Sequence, residues 1–212
     1  MSEARPRSAR LVTAAAWLLL LVGLWLWGRE LSILPGLPGT GDVSAAGVRL
    51  PPAHDPLPAV RPHRVDIPAI GVRAPVVERG LDQDLAIAPP PYDRPGVVGW
   101  YAGGTRPGAA GTALFVGHVD TTSDAAVFYD LSTLKPGQKV RVSRADGSLA
   151  EFTVEDVQVL QRDDFDAVQA YGERREGRAE LRLITCGGTF DRVTASYSSN
   201  VVVSAYLTGT GP

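Results

Sequence analysis

The chain has one cysteine, two lysines and three histidines in 212 residues. A single cysteine excludes an intramolecular disulfide framework. One cysteine and a few scattered histidines do not make a zinc site, and no carboxylate cluster has the spacing of a calcium loop. Lys135 and Lys139 are the only lysines among 21 basic residues, and the formal net charge is −2. There is no basic footprint for nucleic acid, so that class of partner is excluded. Internal repeats and low-complexity tracts are absent as well, and no cofactor motif is found.

What is present begins at the front. Leu11 to Trp27 runs for 17 residues without a charge, at the lower limit for a helix that crosses a bilayer. Arg5, Arg7 and Arg10 precede it, while Arg29 and Glu30 follow. That bias predicts a single-pass anchor over residues 11–27, with residues 1–10 in the cytoplasm and the rest of the chain outside. Trp25 and Trp27 suit the far interface, where an indole can be half wet. A cleaved signal peptide is the rival, but Trp-Gly-Arg-Glu at its end lacks a small-x-small cleavage site. Residues 28–63 are rich in Pro, Gly and Ala and read as a semi-extended extracellular linker. The "LPGTG" within it, Leu37 to Gly41, has no apolar stretch and basic tail after it and is read as chance.

From Arg64 the punctuation changes to short alternating runs separated by turn residues, which predicts β-strands. "RVDIPAIGVRAPVV", "VVGWYAG" and "GTALFVGHV" are the first. "GQKVRVSRADGSLAEFTVEDVQVL" reads as two strands joined through Asp146-Gly147, a strong hairpin pattern. "LRLITC" and "NVVVSAYL" follow, both apolar enough to be central. "DAAVFYDLSTL" and "DAVQAYGERR" are the helical candidates, each of two or three turns. Seven or eight strands over about 150 residues predict a mainly β fold, a closed or nearly closed barrel with short helices.

Cys186 is the last residue of its apolar run, placed at a strand end, with Gly187-Gly188 after it. A buried cysteine that merely fills space is one reading. The other is a nucleophile, with the glycines letting the backbone turn and bring N–H donors to an oxyanion. A thiol nucleophile needs a base or a positive charge nearby. His54 and His63 lie in or beside the proline-rich stretch and read as solvated. His118 ends "TALFVGH" next to Asp120, at another strand end, where it is either a base or a satisfied structural residue. Arg192 is the only arginine downstream of Cys186, and is either an oxyanion partner or a solvated loop residue.

Taken together, "FVGHVD" with His118, "LITC" with Cys186 and "DR" with Arg192 resemble the sortases, membrane-anchored cysteine transpeptidases of Gram-positive cell surfaces. "GHVDTTSDAAVFYDLSTLKPGQKVRVSRADG" and "LRLITCGGTFDRVTASYSSNVVVSAYL" resemble the actinobacterial class F group in particular. The likeness runs from about Arg64 to Leu207 and implies an eight-stranded sortase barrel, set here as a catalytic domain over residues 64–208. Two features depart from the wider family. "LITC" stands for the more general "TLxTC", and Arg192 comes only six residues after Cys186. In many sortases the arginine begins the next strand, where this chain has "YSSN".

The resemblance implies acyl transfer without cofactor or metal. Cys186 would attack an LPxTG-like sorting signal on an exported protein, and Arg192 would stabilise the oxyanion. His118 would serve as general acid and base, and an amine of a peptidoglycan precursor or another acceptor would take the acyl group. An L,D-transpeptidase fits poorly, since "ITCGG" is unlike its "SxGCxR" context. A non-catalytic β-barrel that binds envelope proteins is the alternative from another class.

Overall fold

The computed structural model describes residues 47–83, 86–163, 166–194 and 196–211; the expected anchor at 11–27 lies outside them. Eight strands close into one barrel in the order β1-β2-β3-β4-β7-β8-β6-β5. β1 (Pro62–Ile67) and β2 (Val72–Arg79) form an antiparallel pair across a 3-10 turn at Pro68–Ile70. β3 (Val98–Tyr101) lies parallel to β2, and β4 (Gly111–Val116) antiparallel to β3. β5 (Lys139–Arg144) and β6 (Leu149–Gln161) make the hairpin through Asp146-Gly147. β7 (Ala179–Asp191) runs parallel to β4 and antiparallel to β8 (Ser196–Gly211), which also pairs with β6.

Alternation decides which side chains fill the barrel, because successive residues of a strand face opposite ways. Val65, Ile67, Phe115, Phe152, Leu181, Leu183 and Val203 are all fully buried in one cluster. Trp100 joins them, with its indole N–H donating to Thr105 O at 3.1 Å. A smaller cluster lies on the outer face of the sheet, where Ile184 and Val202 pack against Ala170 with Val116, Leu160 and Tyr171 around them. This outer face carries the candidate site.

The helical expectations shrink in the structure. "DAAVFYDLSTL" contains only a 3-10 turn at Leu131–Thr133. Its backbone is drawn elsewhere: Phe128 N–H donates to His118 O and Val127 N–H to Pro95 O. Phe128 and Leu131 thereby plug the barrel. "DAVQAYGERR" forms one short helix, α1 (Ala167–Tyr171), capped by the Asp166 carboxylate, which accepts from Val168 and Gln169 N–H.

The proline-rich stretch before β1 is strapped to the barrel over part of its length. Leu50 is buried, His54 N–H donates to Leu207 O and Leu57 N–H to Gly108 O. Pro51 O accepts from the Tyr206 hydroxyl and Pro58 O from Arg144. A segment without N–H groups at its prolines is suited to this, since its carbonyls find side-chain donors instead of a strand partner.

Candidate active site

The alternation that places Leu181 and Leu183 inside the barrel places Arg182, Ile184 and Cys186 outside. β7 does not end at Cys186, as the sequence suggests, but continues to Asp191. The two glycines make a bulge, between Gly187 and Phe190, rather than a sharp turn. Gly188 has φ +78°, and a Cβ there would lie 2.4 Å from Ser198 Oγ and 2.6 Å from Ser199 Oγ. The glycine is therefore required by its backbone conformation and by the closeness of β8. Cys186 itself is exposed.

His118 reaches the thiol by register. β4 and β7 pair in parallel from Gly111↔Ala179 to Val116↔Ile184, and Gly117 N–H still donates to Ile184 O at 3.1 Å. β4 ends at Val116, and continuing the same register for two residues would bring His118 level with Cys186. The approach depends on Gly117, where a Cβ would meet the Phe128 ring at 2.6 Å. The imidazole is buried and clamped: Tyr92 stacks on it with ring centroids 4.2 Å apart, and Nε2 lies 2.7 Å from Pro90 O. A carbonyl oxygen only accepts, so Nε2 carries the hydrogen and Nδ1 is the nitrogen left for proton exchange.

Arg192 is exposed at the turn between β7 and β8. From Cys186 to Asp191 the strand advances about 16 Å at roughly 3.3 Å per residue. Arg192 thus lies along the hairpin from the thiol, while His118 follows the strand that pairs with β7. His54, whose Nδ1 lies 2.7 Å from Asp55 O, and exposed His63 belong to the strap and to β1.

Charge around the thiol comes from elsewhere. Although the residue is exposed at the surface, partial desolvation of its sulfur pushes the Cys186 thiol up, the Arg162 guanidinium opposes this, and the Asp120 carboxylate adds to it; the net shift is upward. Arg162 follows β6 directly, and its N–H donates to Ser198 O, one row from the thiol. The Tyr197 hydroxyl donates to Asp120 in a very short hydrogen bond, which with burial pushes its pKa up to about 12. That bond ties the start of β8 to the loop after His118. Asp120 is legible in the sequence as the carboxylate beside His118, and Tyr197 lies inside "YSSN"; Arg162 carries no sequence signal.

Because the thiol is pushed up, its alkylation by iodoacetamide is expected to rise with pH and to reach its midpoint above that of an ordinary cysteine. Arg162→Ala removes the opposing cation and is expected to slow alkylation at pH 7 by a factor of about two to five. An unchanged rate would contradict an influence of this arginine on the sulfur.

Behind the site lies a charged knot. Glu180 is fully buried and accepts from Arg174 and Arg175 N–H at 3.0 and 3.1 Å, Arg178 Nε at 2.8 Å and Arg182 Nη2 at 2.7 Å. Arg182 also donates to Gly172 O at 2.7 Å. This knot holds the loop after α1 against β7, and so holds Ala170 and Tyr171 over Ile184. Among the described residues no three His, Cys, Asp or Glu side chains converge as a metal set would.

Comparison with known proteins covers nearly the whole barrel. The family model described as Sortase domain matches residues 65–208. Sortase C-1 from Actinomyces oris is 24% identical, with a TM-score of 0.51 over 68% of this chain and 72% of that one. Sortase A from Corynebacterium diphtheriae is 19% identical, with a TM-score of 0.52 over 73% of this chain and 63% of that one. The SrtA sortase from Actinomyces oris is 19% identical, with a TM-score of 0.54 over 76% and 87%. At these identities the likeness speaks for a shared fold. No curated protein matches this chain.

Proposed function

This chain belongs to the sortase family, and from that premise we propose that it is a membrane-anchored cysteine transpeptidase of the class F type. Its substrate is an LPxTG-like sorting signal on an exported protein, and its acceptor an amine of the cell wall or its precursor. Residues 11–27 anchor it, residues 1–10 remain in the cytoplasm, residues 28–63 lead from the membrane, and residues 64–208 do the chemistry outside a Gram-positive cell.

The observation that supports this reading is the parallel pairing of β4 and β7, which, continued past Val116, would bring His118 level with an exposed Cys186. As the sulfur attacks the carbonyl carbon after the threonine, its proton passes to His118 Nδ1. The tetrahedral intermediate collapses when the imidazolium gives that proton to the leaving amine, so the C–N bond breaks and a thioester remains on Cys186. The second amine attacks the thioester and loses a proton to Nδ1, and the sulfur leaves. Tyr92 and Pro90 hold the ring through both transfers, which is what a group used twice in one cycle requires.

The test uses the full-length chain in detergent, a fluorogenic LPxTG-like peptide and a small amine. A transfer product of the expected mass supports the proposal. No cleavage across a library of sorting-signal peptides overturns it in favour of a non-catalytic barrel that binds envelope proteins.

A further inference from the structure

The thiol lacks an obvious donor for the oxygen of its acyl group, because Arg192 is at the far end of the hairpin. The strand opposite supplies one. Cys186 and Asn200 are directly paired across β7 and β8, within an unbroken register from Glu180↔Tyr206 to Gly187↔Ser199. Directly paired residues share a face of the sheet, and the neighbouring pair Ile184↔Val202 is in the outer cluster. Asn200 therefore stands on the outer face beside the sulfur. Its other neighbour, Leu160 on β6, is apolar and offers it nothing.

The remaining polar residues of "YSSN" are occupied. Tyr197 donates to Asp120, Ser198 Oγ accepts from Thr189 N–H at 3.0 Å, and Ser199 Oγ donates to Gln161 at 3.1 Å. Asn200 is half-buried, and its amide makes no hydrogen bond to a described residue.

We propose that Asn200 is a catalytic residue whose side-chain amide donates to the carbonyl oxygen of the acyl group on Cys186. Cβ atoms of directly opposed residues are about 4.5–5.5 Å apart. An amide nitrogen two bonds beyond one Cβ thus reaches a carbonyl held on a sulfur one bond beyond the other. A neutral amide suits the role, since it donates at every working pH and needs no counter-charge. It strengthens as charge develops on the oxygen, and so favours the tetrahedral state over the bound carbonyl. The proposal rests on the reading of Cys186 as an acyl-forming nucleophile, but not on which peptide it takes.

The experiment compares two reactions of the same thiol in the full-length chain. Acylation by p-nitrophenyl acetate passes through an oxyanion, whereas alkylation by iodoacetamide does not. Asn200→Leu, which keeps the size, and Asn200→Ala are each expected to slow acylation about a hundredfold and to leave alkylation within about twofold. Arg192→Ala is expected to change neither. Acylation within threefold of wild type in both Asn200 variants overturns the proposal, and so does an equal loss in both reactions, which marks a general disturbance of the thiol. A wild type that acylates but never transfers a peptide counts against the transpeptidase and leaves Asn200 to be judged by the same comparison. A wild type that alkylates but does not acylate overturns both.

Discussion

Cys186→Ala is expected to abolish peptide transfer, and His118→Ala to reduce kcat/KM by at least about a thousandfold. Alanine at 186 removes the only atom on which the acyl group can be held. Because Cys186 is exposed, the substitution leaves no cavity, and the fold should survive it. Alanine at 118 removes the group that takes the thiol proton and returns it to the leaving amine. The nearest residues cannot replace it. Pro90 presents a carbonyl to the ring and Tyr92 an aromatic face, and neither supplies a second imidazole. The thiol proton and the amine proton then pass to water, which is not held in place. Transfer product measured by mass against unchanged circular dichroism checks both variants. Cleavage that persists in Cys186→Ala would sink the covalent mechanism.

Glu180→Gln is expected to be the most damaging change away from the thiol, costing about 3–5 kcal/mol of stability at pH 7. Arg182 is fully buried, and its closest carboxylate is Glu180, at 2.7 Å. Arg178 loses Glu180 but keeps Glu155 at 2.9 Å. Glutamine has the shape of glutamate, so the loss is one of charge and acceptor capacity rather than of packing. Burial on its own would raise the carboxyl pKa. Hydrogen bonding from Arg174 N–H and the guanidinium groups of Arg182 and Arg178 more than reverses that, and leaves it below the usual carboxylate range. A carboxyl depressed on folding contributes stability that is complete above its unfolded value, about 4.3. This contribution is lost as pH falls through the folded value. The difference between wild type and Glu180→Gln in denaturant titrations should therefore shrink below about pH 4. A difference that is constant from pH 7 to 3 would contradict the ionic origin. Because the knot holds α1 over Ile184, the variant should also raise KM for peptide before it lowers kcat.

Much of the barrel is legible in the sequence where local pattern and tertiary role coincide. Val65, Ile67, Val140 and Val142 alternate because they fill one core, and Asp146-Gly147 closes its hairpin as the dipeptide predicts. His118 and Cys186 are legible as candidates for the same reason: each closes an apolar run, and the two runs pair in parallel. What was not legible depends on distant partners. Gly187-Gly188 reads as a break, but the serines of β8 keep the strand going and turn the pair into a bulge. Leu50 and Leu57 carry no period, so nothing local announces that the strap lies on the barrel. Phe128 and Leu131 suit a helix by composition, yet their backbone is claimed by the loops at His118 and Pro95. Arg192 attracts notice because it follows Cys186 in sequence, whereas Asn200 lies beside it in space.

Intact-mass measurement of the full-length chain with an LPxTG-like peptide and no added amine addresses the chemistry most directly. A mass gain equal to the acyl fragment is expected, located on Cys186 by fragmentation and released by hydroxylamine or by an added amine. Peptide cleaved with no trace of an adduct on Cys186, or an adduct on another residue, would contradict acyl transfer through this thiol.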